Sequence, residues 1–321
     1  MTQTHPEKDD RIIPFAVEPL EARGRIARLG PMVDSILERH AYPAPVSRLL
    51  GEMVTLAVLL GTSLKFEGRF QLQTRTDGAV DMLVVDFEAP DRVRAYARFD
   101  AERLDALGAD PVPTQLLGRG HLALTIDQGA DMSRYQGIVS LDGQTIEEAA
   151  HQYFQQSEQI PTRVRIAVGE TLGTGGRAHA WRAGGVMVQF LPTSADRLRQ
   201  ADLPPGDAPE GASLHTPQED DAWVEARSLV ETVEDHELID PTLTSETLLY
   251  RLFHERGVRV FEAQPVVERC RCTRDRIVSM LRQFSDEERS SMVGDDGRIG
   301  ITCEFCSTHY HVDPEEVGVD A

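Results

Sequence analysis

The sequence Cys270-Arg271-Cys272, followed after thirty intervening residues by Cys303-Glu304-Phe305-Cys306, contains all four cysteines of this 321-residue chain. Four thiolates at this spacing can close one tetrahedral zinc site, which would leave no coordination position open for a substrate. The same sulfur atoms can instead pair as disulfides when an oxidant is present. The pattern therefore predicts either a metal-stapled subdomain or a redox-sensitive one, and the cysteines alone leave both interpretations open.

The residues around the cysteines predict two helices and a hairpin. The apolar face of the helix, which is capped near Thr273, consists of Ile277, Val278, Leu281 and Phe284. A second helix start is predicted at Ser285, and Ile299 and Ile301 alternate toward the second cysteine pair. About sixty residues bury little apolar core, so a metal would have a structural role there.

Charged and imidazole side chains flank both cysteine pairs. Four arginines surround the first pair, and they either favour thiolates or are balanced by acidic neighbours: Arg269, Arg271, Arg274 and Arg276. His309 and His311 follow the second pair, and we expect them to be strand residues and not ligands.

The rest of the composition favours a cytoplasmic protein with an ordinary core. The polar N-terminus shows no apolar stretch of a signal peptide. The best membrane candidate, Val46–Leu64, is interrupted by Arg48 and Glu52, so we expect a buried helix and no membrane span. In a reducing cytoplasm, paired cysteines are more often metal ligands or redox switches than structural disulfides.

The acidic charge is concentrated in one segment. The net charge is −20, and residues 201–246 alone hold 13 acidic side chains and one basic side chain, Arg227. Phosphate backbones are repelled by such a surface, so nucleic acid is not an expected partner.

Residues 1–195 predict an α+β domain with a largely antiparallel sheet. Strands joined by short turns are predicted at Gly68–Thr76, Ala79–Val85, Val93–Phe99, Gly137–Leu141, Val164–Val168 and His179–Leu191. Helices are predicted at Pro31–His40, at Val46–Leu64 and after a capping box that starts at Thr145. Strands that follow one another without intervening helices favour this fold class over a parallel sheet.

Residues 196–257 predict an acidic, helical linker. It begins with a Pro/Gly-rich stretch, Leu203–Gly211, which cannot hold regular structure. A helix face then follows at Trp223, Ala226, Val230 and Val233, and a second helix is predicted after a cap at Ser245. Glu231, Glu234 and Asp235 place like charges at helical spacing, so we expect the linker to fold mainly by docking on another surface. Residues 258–321 form the predicted C-terminal zinc-binding domain.

The chain shows no pattern of a turnover enzyme. Gly169–Gly176 is glycine-rich, but it lacks the Lys-Ser/Thr of a phosphate-binding loop and is better interpreted as a hairpin tip. We therefore predict no catalytic residues.

Taken together, these motifs resemble those of the Hsp33 (33 kDa chaperonin) family of redox-regulated holdase chaperones. The cysteine spacing supports the resemblance, as do several segments in the same order: Glu21–Arg25, Tyr153–Thr162, Ala183–Gly185 with Gln189 and Leu191-Pro192, and Leu248–Glu255. The stretch from about Ala201 to Gln218 is longer than is usual in that family.

The resemblance implies an ATP-independent holdase with a zinc switch. Cys270, Cys272, Cys303 and Cys306 would hold one zinc ion in the reduced form, and hypochlorous acid, or peroxide with heat, would convert them to Cys270–Cys272 and Cys303–Cys306 disulfides. The linker would then unfold, and the protein, as a homodimer, would bind unfolding clients. The alternative is a zinc-stapled protein or RNA-binding module without redox switching. A third class, a thiol oxidoreductase, lacks the thioredoxin-like context that its motif needs.

Overall fold

The computed structural model describes residues 9–63, 68–128, 134–172, 179–192 and 219–318. The first half of the described chain contains the following elements: β1 (Arg11–Val17), β2 (Ala22–Leu29), α1 (Pro31–His40), α2 (Ala44–Gly61), β3 (Arg69–Thr76), β4 (Met82–Glu88), β5 (Arg92–Arg98), α3 (Ala101–Ala106), α4 (Pro113–Leu117), β6 (Arg119–Asp127), β7 (Tyr135–Asp142) and α5 (Ile146–Tyr153). The second half contains β8 (Thr162–Leu172), β9 (His179–Phe190), α6 (Asp221–Glu231), α7 (Asp235–Ile239), α8 (Ser245–Phe253), β10 (Arg259–Val260), β11 (Gln264–Pro265), β12 (Val267–Glu268), α9 (Arg274–Leu281), α10 (Asp286–Ser291), β13 (Ile299–Thr302) and β14 (His309–Val312).

Two largely antiparallel sheets form the N-terminal part of the molecule. The first has the strand order β10-β1-β2-β9-β8, with β11 also pairing with β1, and the second has the order β12-β5-β4-β3-β6-β7. Among the described pairings only that of β12 with β5 is parallel, and it joins two residues of each strand. The predicted α+β class with an antiparallel sheet is confirmed.

Helix α2 lies in the main apolar core. All but four of its 18 residues are buried, and its side chains pack with those of both sheets. The helix is long and apolar enough to cross a membrane by composition alone, but 78% of it is buried inside the protein. The prediction of a core helix is therefore confirmed, although its start lies at Ala44.

The local turn and cap signals fold as predicted. Strands β3 and β4 form the hairpin around Asp77-Gly78. Thr145 caps α5 by accepting a 3.2 Å hydrogen bond from the Glu148 backbone N–H, while the Glu148 carboxylate accepts one from the Thr145 N–H. Of the predicted hairpin tip at Gly169–Gly176, the first residues extend strand β8, and residues 173–178 lie outside the described part of the chain.

The linker helices α6, α7 and α8 cover the outer face of the first sheet. Trp223 of α6 packs near Phe190, with ring centroids 6.3 Å apart, and Phe253 of α8 packs on Phe15 at 5.7 Å. Both linker side chains are at most 5% exposed. The sheet therefore has α2 on one face and the linker on the other. The Pro/Gly-rich stretch Leu203–Gly211 lies outside the described residues.

Two local expectations about the linker are wrong. Thr244, and not Ser245, caps α8: the Thr244 hydroxyl accepts from the Thr247 N–H at 3.1 Å, while Ser245 is already helical and buried. The acidic residues do not crowd one helix, because α6 ends at Glu231 and α7 begins at Asp235. Two of the three instead meet an arginine of strand β8, Glu231 at Arg163 (3.2 Å) and Asp235 at Arg165 (2.8 Å).

The chain between the linker and the cysteines joins the edges of both sheets. Strands β10 and β11 pair with β1, and β12 pairs with β5, immediately before Cys270. Beyond this point a small unit of α9, α10 and the β13–β14 hairpin encloses five buried apolar residues: Val278, Leu281, Ile299, Val312 and Val317. The caps predicted for its helices at Thr273 and Ser285 are confirmed.

Candidate metal centre

The structure brings the four cysteines together. Cys270 and Cys272 precede α9, and Cys303 and Cys306 lie on the turn between β13 and β14. Their four sulfur atoms all lie within 4.8 Å of one another. Two sulfur–sulfur contacts cross between the halves, Cys270 to Cys303 at 3.7 Å and Cys272 to Cys306 at 3.1 Å.

This arrangement fits a metal ion. A tetrahedral zinc with Zn–S bonds of about 2.3 Å has sulfur–sulfur edges of about 3.8 Å. The Cys270–Cys303 separation of 3.7 Å matches that edge and the Cys272–Cys306 separation of 3.1 Å is shorter, and both are well above the S–S bond length of about 2.05 Å in a disulfide. The four thiols are thus placed so that they could hold one metal ion, and tetrahedral four-thiolate sets are typical of zinc and of iron–sulfur centres.

The turn that presents Cys303 and Cys306 is fixed by its own hydrogen bonds. The Ser307 N–H donates to the Cys303 carbonyl at 2.8 Å, and the Cys303 N–H donates to the Thr308 carbonyl at 3.0 Å. Ser307 adopts a positive φ of 52°, which an L-residue seldom takes and which closes the turn. The sequence after the second cysteine pair therefore shapes the site as well as flanking it.

Hydroxyl groups contact two of the sulfur atoms. The Tyr310 hydroxyl donates to the Cys272 sulfur at 3.2 Å, and Thr308 lies 3.2 Å from the Cys306 sulfur. Burial would raise the pKa of Cys306, but hydrogen bonding with Thr308 and Cys272 lowers it to about 7. Burial raises the pKa of Cys272. Without a bound metal the four thiols would therefore ionise at different pH values, and metal binding would release protons.

Two of the four nearby arginines pair with carboxylates, and neither nearby histidine belongs to the cysteine cluster. Arg271 reaches Asp86 at 3.1 Å and Arg274 reaches Glu316 at 2.5 Å, which favours the balanced interpretation of the arginine cluster over thiolate activation. His309 and His311 lie on β14 as predicted, and the metal-ligand cluster found among the described residues contains neither.

Contacts with the N-terminal part are the feature that the sequence did not predict. Arg271 and Phe305, one residue from within each cysteine pair, touch β4, β5 and the end of α1 through four side chains: His40, Asp86, Arg94 and Tyr96. No local signal marks these four residues, because each lies more than 170 positions from the cysteines. We call them the docking patch.

Comparisons with known proteins agree with this architecture. The family profile described as Hsp33 protein matches residues 10–313. The 33 kDa chaperonin of Caulobacter vibrioides is 44% identical over 309 residues, covering 95% of each chain. That of Pseudomonas aeruginosa is 36% identical over 315 residues, covering 98% of this chain and 94% of the relative.

A solved structure shows the same fold. The crystal structure of the 33 kDa chaperonin, a heat shock protein 33 homologue, from Thermotoga maritima superposes with a TM-score of 0.73 and covers 96% of both chains at 19% identity. With a family match across nearly the whole described chain and relatives above 30% identity, the chain belongs to the Hsp33 family.

Proposed function

We propose that this protein is a redox-regulated, ATP-independent holdase that binds unfolding proteins after oxidation of its zinc-binding cysteines. The observation that carries the proposal is the four-sulfur cluster, which lies directly after the strands that tie the linker to both sheets. We keep the domain bounds 1–195, 196–257 and 258–321, a cytoplasmic location and no turnover chemistry as parts of the proposal.

In the reduced protein, Cys270, Cys272, Cys303 and Cys306 would hold one zinc ion and staple the small C-terminal domain. The metal would supply most of the folding free energy of that domain, since structural zinc contributes about 10–16 kcal/mol in small zinc peptides. The residues of the chain orient the sulfur atoms through the turn at Ser307 and the Tyr310 hydroxyl.

Oxidation would remove the ligands. Two thiolates of a pair form one S–S bond and pass two electrons to hypochlorous acid, which leaves as chloride and hydroxide. We propose the pairs Cys270–Cys272 and Cys303–Cys306. Since a disulfide sulfur is a poor zinc ligand, the ion would leave and the domain would unfold.

The linker is built to respond to that loss. Its helices bury an apolar sheet face, and the nearly buried Arg28 of β2 donates to linker carbonyls at Glu237 (2.7 Å) and Asp240 (2.7 Å). These contacts form only while the linker is docked. Detachment would expose apolar surface for unfolding clients, and the acidic linker would keep the complexes in solution. We propose a homodimer for this oxidised state.

The test measures zinc content and suppression of client aggregation on one sample before and after hypochlorite. We expect zinc release and holdase activity to appear together and to be reversed by reductant with zinc. We also expect the Cys303→Ser variant to lack zinc and to show a protease-sensitive linker without oxidant. Retained zinc, or zinc loss without client binding, would leave a structural staple and contradict the switch.

A further inference from the structure

One residue from within each cysteine pair docks on the same patch of the N-terminal domain. Arg271, between Cys270 and Cys272, donates to Asp86 at 3.1 Å and lies 3.8 Å from Glu88. Phe305, between Cys303 and Cys306, lies under the Arg94 guanidinium at 3.8 Å and edge-on to Tyr96 at 4.7 Å. Each half of the ligand set therefore has its own anchor on the same surface.

Asp86 is the centre of the docking patch. It is 2% exposed, and it accepts hydrogen bonds from Gln71 at 2.7 Å, from Arg94 at 2.5 and 2.8 Å and from Arg271 at 3.1 Å. Charge-assisted hydrogen bonds to a buried carboxylate are strong and directional. Because Arg94 also stacks on Phe305, Asp86 is connected to both halves of the cluster.

His40 fixes the second half from the other side. Its Nε2–H donates to the Phe305 carbonyl at 3.1 Å, and its Nδ1 accepts from the Ser307 hydroxyl at 2.9 Å. These two bonds bracket Cys306, the most buried of the four cysteines. The imidazole is itself held in place by stacking on Tyr42, with ring centroids 4.8 Å apart.

We propose that the docking patch, with Asp86 as its main positioning residue, holds the two cysteine pairs in register and thereby sets the affinity of the metal centre. The inference rests on zinc binding by the four cysteines as proposed above. The N-terminal domain then acts as a scaffold for a site that contains none of its own residues. Outer residues that orient metal ligands typically contribute about 10-fold to 100-fold in metal affinity.

The experiment measures zinc affinity and zinc release by competition with a chromophoric chelator, using the full-length reduced protein. We expect Asp86→Asn and Arg271→Gln each to weaken zinc binding by about 10-fold or more. Asp81→Asn is the matched control, since its carboxylate pairs with Arg98 on the same sheet at 2.7 Å and makes no described contact with the cysteine region. We expect the affinity of this variant to match that of the wild type.

A double-variant cycle separates positioning from damage to the core. If Asp86 acts through Arg271, Asp86→Asn combined with Arg271→Gln binds zinc no more weakly than the weaker single variant. Phe305→Leu removes the second anchor without altering the core, and we expect weaker zinc binding there too. Additive losses, or unchanged affinity in the single variants, would overturn the positioning role.

The same experiment distinguishes this inference from the proposed function. Wild-type protein that binds no zinc would overturn both. Coupled zinc losses in a protein that gains no holdase activity on oxidation would leave the positioning role standing and reject the switch.

Discussion

The N-terminal core and the C-terminal cysteine unit are stabilised by different means. Among the described residues, the main core contains 45 buried apolar side chains, drawn from both sheets and from α1, α2 and α5, whereas the cysteine unit contains five. A fully buried aliphatic side chain contributes about 1.5–3 kcal/mol. Five such residues cannot order a unit of this size, so we propose that its fold depends on a bound metal and on docking.

This difference indicates which part of such a protein could act as a redox switch. A protein whose stability came from one core would respond to stress by unfolding as a whole. Here the weak unit is tied to strong sheets through β10, β11 and β12, each of which has two residues and is mostly exposed. Loss of the small unit can therefore reach the linker while the main core stays folded.

Metal removal should have the largest effect, and it should act on the cysteine unit and not on the main core. We expect a chelator added to reduced protein to make the chain at Arg276 and Arg282 cleavable by trypsin. The five buried residues cannot replace the metal, so the backbone around these already exposed side chains would unfold. Arg28, which is 3% exposed in the first sheet, should stay protected longer than they do. Mass spectrometry of the tryptic fragments over time measures cleavage at Arg276, Arg282 and Arg28.

Addition of excess zinc with the chelator is the control, and it should restore the original pattern. If the protein loses its metal to the chelator but keeps the tryptic pattern of the metal-bound form, the small unit folds without the metal.

The contact between helix α2 of the core and the linker should contribute to stability in a way that depends on pH, with an effect of intermediate size. Glu52 of α2 is partly buried, and burial, together with the charges of Glu147 on α5 and Asp235 on α7, raises its pKa from 4.5 to about 8. Arg165 of β8 is the cation of this group, and it pairs with Glu147 and Asp235. A carboxyl with a raised folded pKa stabilises the protein at low pH, and this contribution is lost as pH rises toward the folded pKa.

The free energy of unfolding of the wild type should fall by about 2 kcal/mol as pH rises from about 5 to about 8. In Glu52→Gln, which has no carboxyl at this position, that fall should be absent. Thermal unfolding of zinc-loaded protein at several pH values measures it. Glu102→Gln on the exposed face of α3 removes the same charge and should keep the wild-type profile. A wild-type pH profile in the Glu52 variant would show that this carboxyl is ionised throughout the range.

Sequence predicted the elements with local signals and missed those whose reason is long-range. The Thr145 and Thr273 caps, the Asp77-Gly78 hairpin and the cysteine cluster depend on residues close in sequence, or on a spacing typical of zinc sites. Strand β2 was not predicted, because its three arginines hide the apolar alternation, and Arg28 becomes buried only when the linker supplies carbonyl partners.

The docking patch escaped prediction for the same physical reason. Asp86, just after the predicted strand Ala79–Val85, and Arg94, in the predicted strand Val93–Phe99, carry no local signal, and only the tertiary fold places Arg271 and Phe305 against them. The charge of the linker was misread because the helix break between Glu231 and Asp235 lets each side chain meet its own arginine.

Two matched helix caps test the difference between the main core and the cysteine unit, and they have the smallest expected effect. Thr145 caps α5 in the main domain and Thr273 caps α9 in the cysteine unit, each by accepting a hydrogen bond from the N–H three residues on. Loss of such a cap costs about 1 kcal/mol. In the main domain, Thr145→Ala should lower the midpoint of thermal unfolding by a few degrees and leave zinc affinity unchanged.

In the cysteine unit the same loss should appear in metal binding, because under the proposed function folding and zinc binding would be one equilibrium there. We expect Thr273→Ala to weaken zinc binding by about fivefold, the equivalent of about 1 kcal/mol, in chelator competition. Thr273 adjoins Cys272, so Ser285→Ala, which removes the cap of α10 away from the cysteines, is the control. A similar loss in both variants would mean that folding of the whole unit is coupled to the metal. A loss in Thr273→Ala alone would mean that the cap acts locally on Cys272 and that the unit is more stable by itself than its five buried residues imply.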